Sequence, residues 1–437
     1  MADNVLQPGR ADAALYTRFP ALRSRNYRLL WLGQGISGVG STMQVWAINW
    51  QLYALTHHAL ALGLIGLFRV IPIILFSLLG GTVADAWDRR KVMLATQTTL
   101  ALVAAALGLL TVTHQMTAAH IYLLTVIGAA AMAFDNPARQ ALIPSLVPRE
   151  DFASAIALNS IVFRTATIAG PMAAGLLIAR GGLGDTYWIN ALSFLAVIAA
   201  LLLMRLPAGA AVQNTEAKPE AEKSRVSLAA LTEGLRFVWQ TPILVWTLSL
   251  DFLATFFSSA NALLPIFAKD ILHAGARGYG ILAAAEAVGA LGAGLVLSLG
   301  RPIVRQGKVV LWAVVAYGLA TIVFGASRLF WLSWLALAAV GVADSVSTVL
   351  RQTIRQLVTP DRLRGRMTSV NMIFFMGGPQ LGELEAGLAA TWLGAPWSVM
   401  VGGLGCLLAV ALVAARVPLL RDYRAAEAGD KKAGQAP

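Results

Sequence analysis

Four charged side chains stand in the middle of runs that are otherwise apolar: Arg69, Arg164, Asp251 and Glu286. A charge at the centre of a bilayer costs about 2.5–3.5 kcal/mol on insertion scales, so such residues are functional candidates by default. Three kinds of work suit them: binding a charged ligand, carrying a proton, or pairing with each other to hold segments together. The cations lie in the first half of the chain and the anions in the second. Pairing across the two halves and pairing with a ligand between them are therefore both open. Asp251 and Glu286 are the candidate proton carriers, because a carboxyl withdrawn from water favours its neutral acid. Glu383 and Glu385 fall in a later run, about 200° apart on a helix, so they cannot both face one cavity squarely.

Polar residues at helical spacing form a second group. Gln34, Ser37, Ser41, Gln44 and Gln51 make one stripe, interrupted by Ile48. Such a stripe faces a water-filled cavity or a polar seam with another helix. In the cavity reading Asn49, Gln44 and Gln51 supply hydrogen bonds beside the arginines. Thr247, Asp251, Thr255 and Ser258 repeat the pattern later, followed by Asn261. All five histidines fall at the ends of apolar runs, with no His-Glu-x-x-His pair. The single cysteine, Cys406, excludes an intrachain disulfide and a cysteine-based metal site. The Gly300–Lys308 stretch lacks P-loop spacing and its Ser/Thr, and no nucleophile–base constellation appears. Neither an enzyme, a cofactor nor a metal is expected.

The elements that must position these residues are spans. Of 437 residues 57% are hydrophobic and 13% charged, against roughly a quarter charged in soluble domains, so the chain reads as an integral membrane protein. Twelve runs are long enough to cross a bilayer: 29–55, 60–84, 92–113, 119–143, 152–179, 187–206, 243–268, 276–299, 309–326, 330–350, 367–391 and 397–415. The polar first 28 residues, with five arginines, read as a cytoplasmic arm and not as a cleaved signal. Alternating from there places 28 of the 34 Lys and Arg inside, four outside and two within spans. That accounts for the +12 charge without nucleic acid as a partner.

The halves repeat at an offset of 212 residues. Gly63, Gly66 and Gly80 meet Gly275, Gly278 and Gly292, and Asn49 meets Asn261. Arg139-Gln140 meets Arg351-Gln352, and Pro148 and Asn159 meet Pro360 and Asn371. The reading is an all-α integral membrane protein with twelve transmembrane helices in two six-helix halves, residues 1–206 and 241–437. Between them, 207–240 reads as a cytoplasmic linker, with an amphipathic surface helix over 226–240.

The loop after the second span runs Gly81-Thr-Val-Ala-Asp85-Ala-Trp-Asp88-Arg89-Arg90-Lys91. It resembles the loop signature of the major facilitator superfamily, with Ala86 and Asp88 departing from the usual pattern. Asp135-Asn-Pro-Ala-Arg139 and Glu383-Leu-Glu385-Ala-Gly387 are similar to the exporter branch that includes the enterobactin exporter and macrolide-efflux-like proteins. The resemblance implies a monomeric secondary transporter of the bacterial inner membrane, with both termini cytoplasmic, exporting a siderophore or drug-like molecule by proton antiport. Nutrient import and a transport-dead membrane sensor or scaffold are the alternatives. The resemblance also implies gating roles: Gly81 and Asp85, with Arg89, Arg90, Asp135 and Arg139, latching one half, and Asp344 with Arg351 and Arg355 latching the other. Helix 5 carries Gly170-Pro171 and Gly175 but not the upstream glycines of drug/proton antiporters, and helix 4 lacks their Arg-x-x-x-Gly.

Overall fold

The computed structural model describes residues 18–205, 235–301, 303–360 and 363–424, without the side chains of 77–82, 84–86, 260, 365–366, 368–369, 372–373 and 375–376. Among the described residues no strand occurs and twelve long helical segments follow one another. The first six are α1 (Arg25–Thr56), α2 (Ala59–Ala86), α3 (Arg89–Val112), α4 (Ala118–Leu146), α5 (Phe152–Arg180) and α6 (Leu183–Leu203). The second six are α7 (Pro242–Phe257 and its irregular continuation to Ile271), α8 (Gly275–Leu299), α9 (Gln306–Ala326), α10 (Phe330–Val358), α11 (Arg364–Leu393) and α12 (Ala395–Arg416). Ten are long and apolar enough to cross a membrane by composition alone. The other two are α1 and α11, which carry the polar stripe and the two glutamates.

Local chemistry sets the helix ends. Ser24 caps α1, accepting from the Tyr27 amide, while its hydroxyl donates to the Leu146 carbonyl at the end of α4 (2.6 Å). Asp88, one of the two departures from the loop signature, caps α3 by accepting from the Arg90 amide at 2.9 Å. Proline stands inside α2, α4, α5 and α11. Neighbouring helices and local adjustments make this tolerable in a membrane bundle.

The halves have the same internal packing. In the first, α1 packs on α5 and α6, α2 on α4, and α3 on α4 and α6; in the second, α7 packs on α11 and α12, α8 on α10, and α9 on α10 and α12. Adding six to each label converts one set into the other, as the 212-residue offset requires. The halves join through α2 against α11 and α5 against α8, a pair related by the same operation.

Both joints are glycine crossings. A Cβ on Gly63 would lie 2.7 Å from the Glu383 carbonyl oxygen and 3.0 Å from the Gly387 Cα. One on Gly175 would lie 2.6 Å from the Ala276 carbonyl oxygen and 2.8 Å from the Gly280 Cα. Only residues without a Cβ let these backbones approach so closely. All four glycines lie near the α1–α2, α5–α6, α7–α8 and α11–α12 loops, at what is called here the loop end. Towards the other end, where the described N-terminal residues lie, Phe163 of α5 and Val296 and Leu299 of α8 are exposed, and Gly292 has open space around it.

Two spans differ from their sequence reading. The apolar run 330–350 underestimates α10, which continues for two turns to Val358 and carries Arg351 and Arg355 into the protein interior. The run 243–268 is not one helix. The α-helix stops at Phe257, a 3-10 turn spans Ala260–Leu263, and a π turn spans Phe267–Ile271. Of the linker and surface helix, 206–234 lie outside the described residues, and 235–240 are helical.

Candidate functional site

The break in α7 opens on a cavity of about 360 Å³ between the two halves. Thr42 and Trp46 of α1 and Phe163, Arg164 and Thr167 of α5 form one wall. The opposite wall has Thr255, Ser258 and Asn261 from the broken α7, Glu286 from α8, Tyr317 from α9 and Asp344 from α10. Irregular backbone at membrane depth is tolerated where it lines such a cavity. The amide of Asn261 donates to the Glu286 carboxylate at 2.9 Å. The field of Asp344 reaches Glu286, and Asp344 itself feels Arg351 of its own helix more strongly than Arg164 across the cavity. Two carboxylates and one guanidinium thus share a cavity whose walls carry three aromatic rings. A second cavity, of about 530 Å³ and lined by α4 and α5 alone, adjoins the first at Phe163 and Arg164.

Of the four mid-span charges, Arg164 and Glu286 line the central cavity. Asp251 and Arg69 do not. Asp251 is buried beneath it, where Arg351 donates at 2.7 Å and Arg355 at 3.4 Å. All three side chains are almost fully buried, at 4%, 1% and 3% exposure, so the two arginines place their charges without water. This corrects two expectations. The arginines at the end of α10 are not loop cations, and their carboxylate partner is Asp251, not Asp344. Asp344 is linked to Arg351 only through Thr348, which donates to Asp344 at 3.4 Å and accepts from Arg351 at 3.1 Å. About two turns of helix separate Asp344 from Arg351 and leave its carboxylate at the cavity wall. Arg69 lies at the α2–α11 crossing, where its field reaches Glu383. The pairing expected with Asp251 or Glu286 does not form.

The polar stripe of α1 is a seam. Gln44 accepts from Asn190 of α6 at 2.7 Å. Gln51 accepts from the Tyr187 hydroxyl at 2.7 Å and donates to Thr111 of α3 at 2.9 Å. Gln34 accepts from Arg139 of α4 at 2.7 Å. The cavity-facing side of α1 is the one with Thr42 and Trp46, about 160° from Gln44 on the helix. Asn49 is buried two turns beyond Thr42 on that side. The missed signal is the Thr42–Trp46 pair at i, i+4, which hydropathy reads as ordinary apolar helix.

The predicted gating residues form braces. Asp135 is fully buried on α4 and accepts from Thr96 at 2.8 Å and Gln97 at 2.9 Å on α3, with Arg139 at 3.8 Å. Arg139 also donates to Asn136. Arg89 donates to the Ala141 carbonyl at 3.0 Å and Arg90 to the Leu202 carbonyl at 3.1 Å, each near the C-terminal end of a helix, where a cation is favoured. Gly81 and Asp85 occupy the last turns of α2, and their side chains lie outside the described residues.

At the loop end, aromatic contacts that the sequence reading missed tie α1 to the second half. The Tyr279 hydroxyl donates to the Trp46 carbonyl at 3.0 Å, and its ring lies 5.1 Å from that of Trp50. The Tyr53 hydroxyl donates to Asp270, with the Lys269 ammonium 5.7 Å from the Tyr53 ring centre. The cavity is closed on that side.

A family model described as transmembrane secretion effector matches residues 16–434, a range that spans the whole described bundle. The chain belongs to that family, a branch of the major facilitator superfamily. It is a multi-pass membrane transporter and not an enzyme. The transporter is 28% identical over 394 residues to a protein named multidrug efflux pump Tap, from Mycolicibacterium fortuitum, covering 88% of this chain and 94% of that one. It is 26% identical over 399 residues to the enterobactin exporter EntS of Citrobacter koseri, covering 91% and 93%. Among solved structures it shares its fold with the nucleoside transporter NupG, with a TM-score of 0.72 at 13% identity over 91% and 100% of the two chains. It likewise matches an inward-facing, unoccupied bacterial homologue of the lysosomal transporter Spinster, with a TM-score of 0.70 at 16% identity over 92% and 98%.

Proposed function

We propose that this transporter exports small amphipathic organic cations by alternating access, in exchange for protons. The observation that carries the reading is the cavity between the halves, where Glu286 and Asp344 face Arg164 among Trp46, Phe163 and Tyr317. Carboxylates excess to the guanidinium favour a cationic head, and aromatic faces suit both a flat apolar body and a cation. Asp251 is committed to two arginines. The exchangeable protons therefore belong to Glu286 and Asp344, either of which a bound cation would replace as counter-charge. With the positive ends of the chain in the cytoplasm of a bacterial inner membrane, the closed loop end faces outward and the cavity opens inward, ready to load a monomeric exporter from the cytoplasm.

A catecholate siderophore is the second reading. The likeness to the enterobactin exporter favours it, as does the presence of Arg164 in the cavity. Everted membrane vesicles separate the two. A proton gradient should drive accumulation of tetraphenylphosphonium and ethidium, and collapse of the gradient should release them. If the vesicles accumulate a catecholate anion and ignore both cations, the cation reading is wrong. Glu286→Gln and Asp344→Asn should each abolish cation accumulation while the protein remains in the membrane.

A further inference from the structure

We propose that Asn261 is a positioning residue that ties the loading of Glu286 to closure of the loop end, so that the transporter stays closed there until a cation or a proton reaches that carboxylate. The inference rests on the exchange reading above and adds to it a lock against empty crossing.

The lock lies in the broken α7. Its α-helix stops at Phe257, and Ser258 and Ser259 belong to no helix before the 3-10 turn Ala260–Leu263 begins. A 3-10 stretch within a helix often marks a functional hinge. The segment beyond, 260–271, is therefore jointed to the rest of α7 and held by what its side chains touch. Its near arm is Asn261, whose amide donates to the Glu286 carboxylate of α8 at 2.9 Å. Its middle is seated in the second half, where Phe267 is fully buried with its ring 4.4 Å from that of Phe324 on α9. Its far arm is Asp270, which accepts from the Tyr53 hydroxyl of α1, with the Lys269 ammonium over the same tyrosine ring. One short segment thus bonds a cavity carboxylate at one end and the opposite half at the other.

The strength of the near bond depends on what Glu286 holds. A hydrogen bond to an ionised carboxylate is roughly twice as strong as one between neutral partners. While Glu286 is ionised and alone, Asn261 donates to a full charge and the segment keeps Asp270 against Tyr53. A proton neutralises the carboxylate, and an organic cation draws on the same oxygens. Either weakens the Asn261 bond, frees the near arm to move about Phe267 and loosens the far arm. Exchange of a cation for protons requires this behaviour: the loaded carrier crosses in both directions and the empty one does not. Such coupling needs an element that both sites bias, and the segment meets both.

The test uses the full-length transporter in right-side-out membrane vesicles, with tetraphenylphosphonium enclosed or left out. The reporter is Asn49→Cys, at a buried position of α1 between the cavity and the loop end, labelled by an impermeant thiol reagent added outside. Its labelling should be slow without the cation and roughly tenfold or more faster with it, the equivalent of losing one charge-assisted hydrogen bond. Asn261→Ala should be fast without the cation and gain little from it, whereas Asn261→Gln, which keeps the amide, should restore part of the response. Glu286→Gln, a fixed neutral side chain, and Tyr53→Phe, which removes the far donor, should also be fast. Combining any two of these three should label no faster than the faster single variant, because all open one lock. Slow labelling of Asn261→Ala without the cation overturns the proposal, as do rates that multiply when variants are combined. Where Asn261→Ala does not assemble, the Glu286→Gln and Tyr53→Phe pair decides the same point. These variants are compared with no cation present. Failure of the cation reading would show separately, as catecholate accumulation by the unaltered protein in everted vesicles.

Discussion

Replacing Asp251 by Asn should destabilise the second half more than any other single charge removal in the bundle. The carboxylate stands 2.7 Å from Arg351 and 3.4 Å from Arg355, all three being at most 4% exposed. Asparagine keeps the shape and one acceptor but leaves two guanidiniums buried without their anion. Breaking a buried pair in this way costs about 3–5 kcal/mol. Unfolding entropy of roughly 2 cal/mol/K per residue gives about 0.9 kcal/mol/K for this chain, so the midpoint should fall by roughly 3–5 °C. The protein supplies its own probe: Cys406 is the single cysteine and is fully buried, so a thiol-reactive dye in detergent micelles reports its exposure. The double variant Asp251→Asn, Arg351→Gln should recover part of the loss, since one stranded cation goes with the anion. A midpoint unchanged by Asp251→Asn, or a double variant less stable than the single, would refute the claim that the cluster is a buried, mutually dependent pairing.

Two further outcomes follow from the packing. A Cβ at Gly280 would lie 2.9 Å from the Gly175 Cα, so Gly280→Val should force the α5–α8 joint apart, at about 1–3 kcal/mol. That shifts the balance towards states open at the loop end by roughly 5–150-fold; labelling of a Ser258→Cys variant by an impermeant thiol reagent added from that side should accelerate, and an unchanged rate would dismiss the crossing as a joint. Gln51→Ala should lower thermal stability by about 1–3 kcal/mol, because the Tyr187 hydroxyl loses its acceptor in a fully buried place. Its substrate preference should stay the same; a changed preference at unchanged stability would return Gln51 to the ligand site.

Hydropathy reads depth well and direction around a helix poorly. That is why the spans and their repeat were legible while half of the expected site was not. The stripe from Gln34 to Gln51 had the periodicity of a surface facing water, yet its partners are Asn190, Tyr187, Thr111 and Arg139, on three other helices. A polar seam and a wet wall leave the same pattern on one helix; only the partner helix separates them. The same ambiguity hid Arg351 and Arg355. Two basic residues after an apolar run match a cytoplasmic loop, and nothing nearby in the sequence announces that Asp251, 100 residues earlier, meets them inside. The break in α7 was signalled by Ser258-Ser259, Asn261 and Pro265 within an otherwise apolar run.

What the repeat does make legible is the asymmetry. One joint glycine recurs between halves, Gly175 corresponding to Gly387, whereas Gly63 corresponds to Gly275 at the start of α8 and Gly280 to Phe68. Arg351 recurs as Arg139, but five other charges within the helices do not recur. At the same offset Arg164 corresponds to Met376, Glu286 to Ile74, Asp344 to Met132, Asp251 to Val39 and Arg69 to Ile281. Every one of these ionisable residues therefore stands opposite an apolar counterpart in a half that packs in the same way. The apolar version suffices to build a six-helix half, so the charge is not required by the fold of a half as such. Asp251 brought its own counter-charges in Arg351 and Arg355 and became structure. Glu286 and Asp344 have no ion-pair partner among the described residues and share their cavity with Arg164 on the opposite wall. A charge paired within one half is satisfied by that half alone, whereas an unpaired carboxylate at the cavity wall is left to be neutralised by what enters the cavity. That difference separates the residues that hold the bundle together from those that can couple its movement to a cation.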